Sequence, residues 1–177
     1  MAQASMLAPA TAVRRVRCRS LRPLLCIHAM AAVANGATTT AEERAEAAQM
    51  RSGECASSGA AAALDSGAFP PVDIEMGRQK YVLFQVETEP VQYLVRGRIS
   101  ASYHKDVASQ TVRKLEAAGI GYNVLGGGRI EADPSRISIF GFSYGFPWAG
   151  EPRHDIAKAL CEAAFPGATV ETSDGGY

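Results

Sequence analysis

"YNVLGGGRIEAD", residues 122–133, is the stretch on which the reading of the fold turns. An apolar run leads into Gly126, Gly127 and Gly128, and Arg129 follows directly. Glycine loses more backbone freedom on ordering than any other residue, so a folded chain needs a reason to place three together. Two readings are open. The glycines turn the chain between two strands, or they bare a backbone that, with Arg129, approaches an anion. A phosphate loop of the Walker type is excluded, because GxxxxGK[ST] does not occur.

Working outward, "KYVLFQVET" (80–88) is β-rich and bounded by Gly77 and Pro90, and "VQYLVRGRIS" (91–100) follows after a short connection, which predicts a hairpin. "HKDVASQTVRKLEAAGIG" (104–121) switches to helical spacing, with Val107, Thr111, Val112, Leu115 and Ala118 on one face and Gly119 as the stop. "GYNVLGGGRIEA" then reads as a strand, a glycine turn and the start of another strand, and "RISIFGFS" (136–143) alternates as a further one. "PRHDIAKALCEAAFPG" (152–167) is a second helix with Ile156, Leu160 and Ala164 inward, and "ATVETSDGGY" closes the chain with a short strand and tail. The order β-β-α-β-β-β-α-β predicts an α+β (α/β) single domain, a mixed β-sheet flanked by two α-helices, rather than a doubly wound parallel sheet.

The formal net charge of the 177 residues is zero, which argues against a nucleic-acid-binding surface, but the charge is unevenly placed. Residues 1–41 hold Arg14, Arg15, Arg17, Arg19 and Arg22 and no acid, so the remainder carries a net −5. The Ala-, Ser/Thr- and Arg-rich stretch 1–40 has the composition of an organelle transit peptide, for a chloroplast or mitochondrion, with a cytoplasmic extension as the alternative. "LLCIHAMAAVA" (24–34) comes close to a secretory core, but it lies behind five arginines and His28 interrupts it. No apolar run reaches the roughly 18 residues a membrane span needs. Residues 41–71 are Ala, Gly, Ser and Glu with almost no large apolar side chain; 41–51 could form a transient helix, and the segment reads as a disordered linker. A globular domain occupies 72–177. Cys18, Cys26, Cys55 and Cys161 have neither disulfide-framework nor zinc spacing, so no metal or other cofactor is expected.

Within that domain His104 and His154 are the only histidines, each at a predicted helix start. A helix N-terminus offers unpaired N–H groups and a positive dipole end, which together attract anions and keep an imidazole neutral. Lys80, Arg129 and Ser143 flank the same loops. A cysteinyl-phosphate loop is excluded, because Gly167 stands where Cys161 would need an arginine six positions on. "RHD" (153–155) lacks the glycine of an RHG motif, and no DxDx[TV] pair exists.

Read in order, "KYVL", "VRG…YH", "LGGGRI", "IFGFS…RH" and the terminal "DGGY" resemble the protein phosphohistidine phosphatases, the Janus/Ocnus family, over about 72–177. The resemblance implies a monomer with a mixed sheet and two helices that hydrolyses the P–N bond of phosphohistidine-containing proteins without a metal. It implies His104 as the general base, Lys80, Lys105, Arg129, Ser143 and Gly145 as phosphate-binding residues, and His154 in support. The glycines would then serve both purposes, turning the chain and clearing side chains from the site. The loop "SYGFPWAGEPRH" (143–154) departs from the family by about three extra residues and an added Trp148. A non-catalytic relative that binds phosphorylated or acidic partners, its pocket closed by Trp148, is the alternative implied.

Overall fold

The computed structural model describes residues 39–53, 61–62 and 64–175. The transit-peptide-like reading of residues 1–40 therefore falls outside the described residues except for Thr39 and Thr40, as do the last two residues of the tail. Three helices, α1 (Ala41–Gln49), α2 (His104–Ala117) and α3 (His154–Ala164), accompany a mixed sheet. The principal strands are β4 (Gly77–Val86), β6 (Gln92–Arg98), β7 (Tyr122–Ala132), β8 (Arg136–Phe140) and β9 (Thr169–Ser173). The short strands are β1 (Ser52–Gly53), β2 (Ala61–Ala62), β3 (Val72–Asp73) and β5 (Thr88–Glu89). The sheet order is β3-β6-β4-β7-β8-β9, with β1 on β7 and a separate β2-β5 pair. β4 and β6 form the expected antiparallel hairpin, while β8 and β9 run parallel with α3 between them in sequence.

The three glycines do not turn the chain. β7 is one strand of 11 residues, and Gly126, Gly127 and Gly128 lie in its middle, opposite Leu83, Val82 and Tyr81 of β4. None has a positive φ; that conformation belongs to Gly77, Gly119, Gly141 and Gly150. What the glycines supply is space. A Cβ on Gly126 would stand 2.3 Å from the Trp148 indole, one on Gly127 3.0 Å from His104 Cδ2, and one on Gly128 2.9 Å from the Tyr81 ring. Each glycine therefore seats a ring on the strand. The register slips between Leu83 and Phe84, leaving Leu125 as the extra residue of a bulge just before the glycines.

The two sheet faces carry separate cores. On one, Val82, Phe84 and Val124 pack with Val107, Val112 and Leu115 of α2; on the other, Tyr81, Leu83, Ile130 and Ile139 pack with Ala157 and Cys161 of α3. Alternation along β4 sends successive side chains to opposite faces, which serves both cores from one strand. The helical faces differ slightly from the spacing argument. Ala108 replaces Ala118 in the buried row of α2. In α3 the innermost row is His154, Ala157 and Cys161, with Ile156 and Leu160 half-buried beside it and Ala164 exposed.

Composition predicts a linker over 41–71, yet part of this stretch is ordered. Thr40 caps α1, its hydroxyl accepting from Glu43 N at 3.2 Å while the Glu43 carboxylate accepts from Thr40 N at 2.7 Å. This reciprocal capping box stabilises a helix start without any large apolar side chain. Ala47 is 1% exposed in the α2-side core, and Ser52–Gly53 pairs with Asn123 and Tyr122 of β7. Small residues in close contact do here what bulk cannot.

A Cβ at Gly128 would lie 2.7 Å from the Phe140 carbonyl oxygen and 3.0 Å from that of Gly141, both backbone atoms that cannot swing away. Gly128→Ala is expected to lower the unfolding free energy by about 1–3 kcal/mol, as overpacking typically does. Gly167→Ala, where nothing lies within 4 Å of the new methyl, should leave it unchanged. Urea unfolding midpoints of the two variants check this.

Candidate functional site

His104 is the first residue of α2, and its N-cap is Tyr103, whose side chain makes no capping hydrogen bond. Ser, Thr, Asp or Asn at an N-cap would occupy the first N–H groups of the helix; tyrosine leaves them to another acceptor. The Tyr103 N–H itself is held by Asp106 Oδ2 at 2.8 Å, so the turn is fixed from the other side.

The imidazole of His104 descends onto β7, where Gly127 has no side chain to stop it, and Nε2 reaches the Gly128 carbonyl oxygen at 2.9 Å. A carbonyl only accepts, so Nε2 carries the proton and Nδ1 of the neutral ring keeps its lone pair. Burial, the main cause, pushes the His104 pKa from its ordinary 6.5 down to about 4. The charges of Lys80 and Arg129 push the same way, and the Gly128 carbonyl opposes them. At neutral pH the ring is an uncharged acceptor.

Lys80 of β4 and Arg129 of β7 are direct partners in the antiparallel register, and the Lys80 ammonium donates to the Ala101 carbonyl at 3.3 Å in the loop before α2. Like charges opposite each other across a ladder are destabilising, so this pair beside a helix N-terminus favours an anion in the space they share. Ser143 is buried, its Cβ facing Gly127 from the side of His104, and its hydroxyl accepts from Phe146 N at 3.1 Å. Lys105 and Gly145 line a small cleft with His104. Lys80 lines another cleft, which has Phe142 and Tyr144 at its rim and shares Tyr103 and His104 with the first. All the residues singled out in the sequence thus gather around the start of α2 except His154.

His154 stands on the other face of the sheet, 2% exposed. Its Nε2 donates to the Gly141 carbonyl at 3.1 Å, and its Nδ1 accepts from the Tyr81 hydroxyl at 2.5 Å. Both nitrogens are occupied, which leaves no lone pair for a substrate. Burial lowers its pKa and raises that of the Tyr81 phenol. Trp148 packs there too, its ring centroid 5.4 Å from that of His154, so the lengthened loop sends its tryptophan into the α3-side core and not over His104. Tyr81 acts through its hydroxyl on His154 and Ala101 through its carbonyl on Lys80, and neither was singled out in the sequence; Gly128 was, but not for the carbonyl that His104 reaches. Only the alternation of β4 could have pointed to Tyr81. Among the described residues no group of three or more His, Cys, Asp or Glu stands together as a metal site would need.

The model of the Janus/Ocnus family matches residues 66–169, more than half of the chain and all of the elements just described from β3 to α3. The chain belongs to the Janus/Ocnus family. Its relatives include the 14 kDa phosphohistidine phosphatase of Sus scrofa, 34% identical over 66% of this chain and 99% of that protein. The Homo sapiens protein of the same name is 30% identical over the same shares. The sex-regulated protein janus-A of Drosophila pseudoobscura pseudoobscura is 33% identical over 64% of this chain and 80% of its own length. Both kinds of relative thus share this Janus/Ocnus domain.

His154→Ala leaves the Tyr81 hydroxyl and the Gly141 carbonyl without a partner in a dry interior. The expected cost is about 2–5 kcal/mol of stability, from the cavity and the unmet polar groups together. The folded fraction should retain the greater part of any activity. Denaturant unfolding combined with active-site titration separates the two effects.

Proposed function

We propose that the chain is a metal-independent protein phosphatase that hydrolyses the P–N bond of phosphohistidine in protein substrates. The observation that carries this reading is the state of His104: Nε2–H held by the Gly128 carbonyl, Nδ1 with a free lone pair, beside two cations and an uncapped helix N-terminus. The phosphoryl oxygens would lie against Lys80, Arg129 and Lys105 and the first N–H groups of α2, with Ser143 and Gly145 bordering them. Water attacks phosphorus in line with the departing imidazole. Its proton passes to His104 Nδ1, the P–N electron pair leaves on the substrate imidazole nitrogen, which takes up a proton from solvent, and inorganic phosphate is released as His104 returns its proton to solvent. The labile P–N bond asks mainly for orientation and charge stabilisation, which the cations and helix terminus provide. Residues 1–40 would carry the protein to an organelle.

A base with a pKa near 4 is always available at neutral pH but grips a proton weakly. The incoming phosphoryl group corrects this, because a nearby negative charge favours the protonated imidazole and raises its pKa. The His104 resonance followed by NMR should titrate far below 6.5 in the free protein and at a higher pH when inorganic phosphate saturates the site. An ordinary midpoint insensitive to phosphate would refute the assignment.

Hydrolysis of a phosphohistidine peptide gives the kinetic test. His104→Ala should lose about 10²–10⁴ in kcat, the usual worth of a general base, while remaining folded. Lys80→Ala should both weaken binding and slow turnover, because its charge meets the phosphoryl oxygens in the ground and transition states. Activity should persist in a chelator; a reproducible requirement for a divalent ion would defeat the metal-free reading.

A further inference from the structure

We infer that α1 is an intrasteric cover over the phosphate subsite, holding with its own carboxylates the groups that a phosphoryl group needs. The inference rests on the anion-binding reading of the start of α2. Glu46 forms an ion pair with the Lys105 ammonium. Glu43 lines the cleft beside Tyr103, the N-cap residue of α2, and its carboxylate raises the pKa of the Tyr103 phenol. On the same helix, Ala47 lies over Gly145, 3.2 Å from where a Cβ on that glycine would stand. Glu43 and Ala47 thereby form one wall of the cleft that His104, Lys105 and Gly145 line from the other side, and Thr39, just before the helix, borders both clefts that flank His104.

The Glu46 carboxylate on Lys105 occupies a position that a phosphoryl oxygen would take, with less charge, and Glu43 stands beside the same cleft. The cover is also built to leave. Its attachments include a partly exposed ion pair, the Arg51 bond to the Pro147 carbonyl at 2.6 Å, a two-residue strand pairing continued by the Val124 N–H on the Arg51 carbonyl, one buried alanine and the half-buried Met50. A nine-residue helix cannot persist alone in water, so release from α2 means melting. Segments with so few buried contacts open at the low end of the free-energy scale, well before the domain unfolds. Phosphate and α1 therefore compete for Lys105, and the apparent affinity for substrate is reduced by the fraction of closed molecules.

The test uses the full-length chain and inorganic phosphate as probe, with binding read from the His104 imidazole shift so that no turnover is required. Glu46→Gln should tighten phosphate binding by about 1.5–5-fold, the factor that a partly exposed ion pair of 0.2–1 kcal/mol represents. Ala47→Arg, whose side chain has no room over Gly145, should tighten it further by displacing the helix. Amide exchange along α1 should accelerate when phosphate saturates the wild-type protein. Unchanged or weaker phosphate binding in Glu46→Gln would overturn the cover, whether or not Ala47→Arg folds. The catalytic reading fails differently: phosphate would bind and respond to Glu46→Gln, while His104→Ala hydrolysed phosphohistidine as fast as wild type.

Discussion

The seating of the His104 ring directly on the backbone of β7 is the contact on which the site depends. Only a residue without a Cβ at position 127 lets the imidazole come within hydrogen-bonding reach of the Gly128 carbonyl. That one approach fixes the tautomer, removes the ring from water and brings it under the influence of Lys80 and Arg129. Gly126 and Gly128 make the same allowance on the opposite face, for Trp148 and Tyr81. A strand with side chains at these three positions would push the Trp148, His104 and Tyr81 rings off the sheet. Neither histidine could then meet its partners.

The contrast between the two histidines follows from what surrounds each nitrogen. His154 is sealed between a hydroxyl that donates and a carbonyl that accepts, so its hydrogen-bonding capacity is fully used within the fold. His104 has one nitrogen anchored and one left over, and its neighbours are cations in place of a hydroxyl. Because His104 charges less readily in the folded chain than in the unfolded one, its contribution to stability is intact above the unfolded pKa near 6.5 and is lost as the pH falls towards 4. His104 is therefore one acid-sensitive element of the fold, and His154, whose pKa burial also lowers, is another. Such a local concession in stability is what the proposed role of His104 as a preorganised base would require.

The β4–β6 hairpin, β8, β9, two of the helices and the mixed sheet were legible because hydrophobic period and turn residues act locally. The start of α2 was legible for the same reason, and with it His104, Lys105 and Tyr103. Two features were not. A run of three glycines looks like a turn from within the sequence, because composition cannot distinguish glycine chosen for its φ from glycine chosen for its missing Cβ. The difference lies in Tyr81, His104 and Trp148, each more than twenty residues or a whole strand away. The order in α1 was equally hidden. Its stability comes from a capping box and from alanine packing against Gly145, whereas composition weighs only side-chain bulk.

The placement of charge around the start of α2 links the fold to its use. Lys80, Lys105 and Arg129 converge there with the positive end of a helix, and a site of one sign is costly to keep without a counterion. The free protein answers with neutral and negative oxygens drawn from its own chain: the Ala101 carbonyl on Lys80, and Glu46 on Lys105. These partners are of unequal strength. The carbonyl belongs to the loop that leads directly into α2 and His104. The carboxylate belongs to a short helix outside the family-matched residues, attached mainly at its edges. On the proposed reading, an anion carrying two charges would replace one carrying a single charge without disturbing the sheet, and the domain beneath would remain rigid while only its covering helix moved.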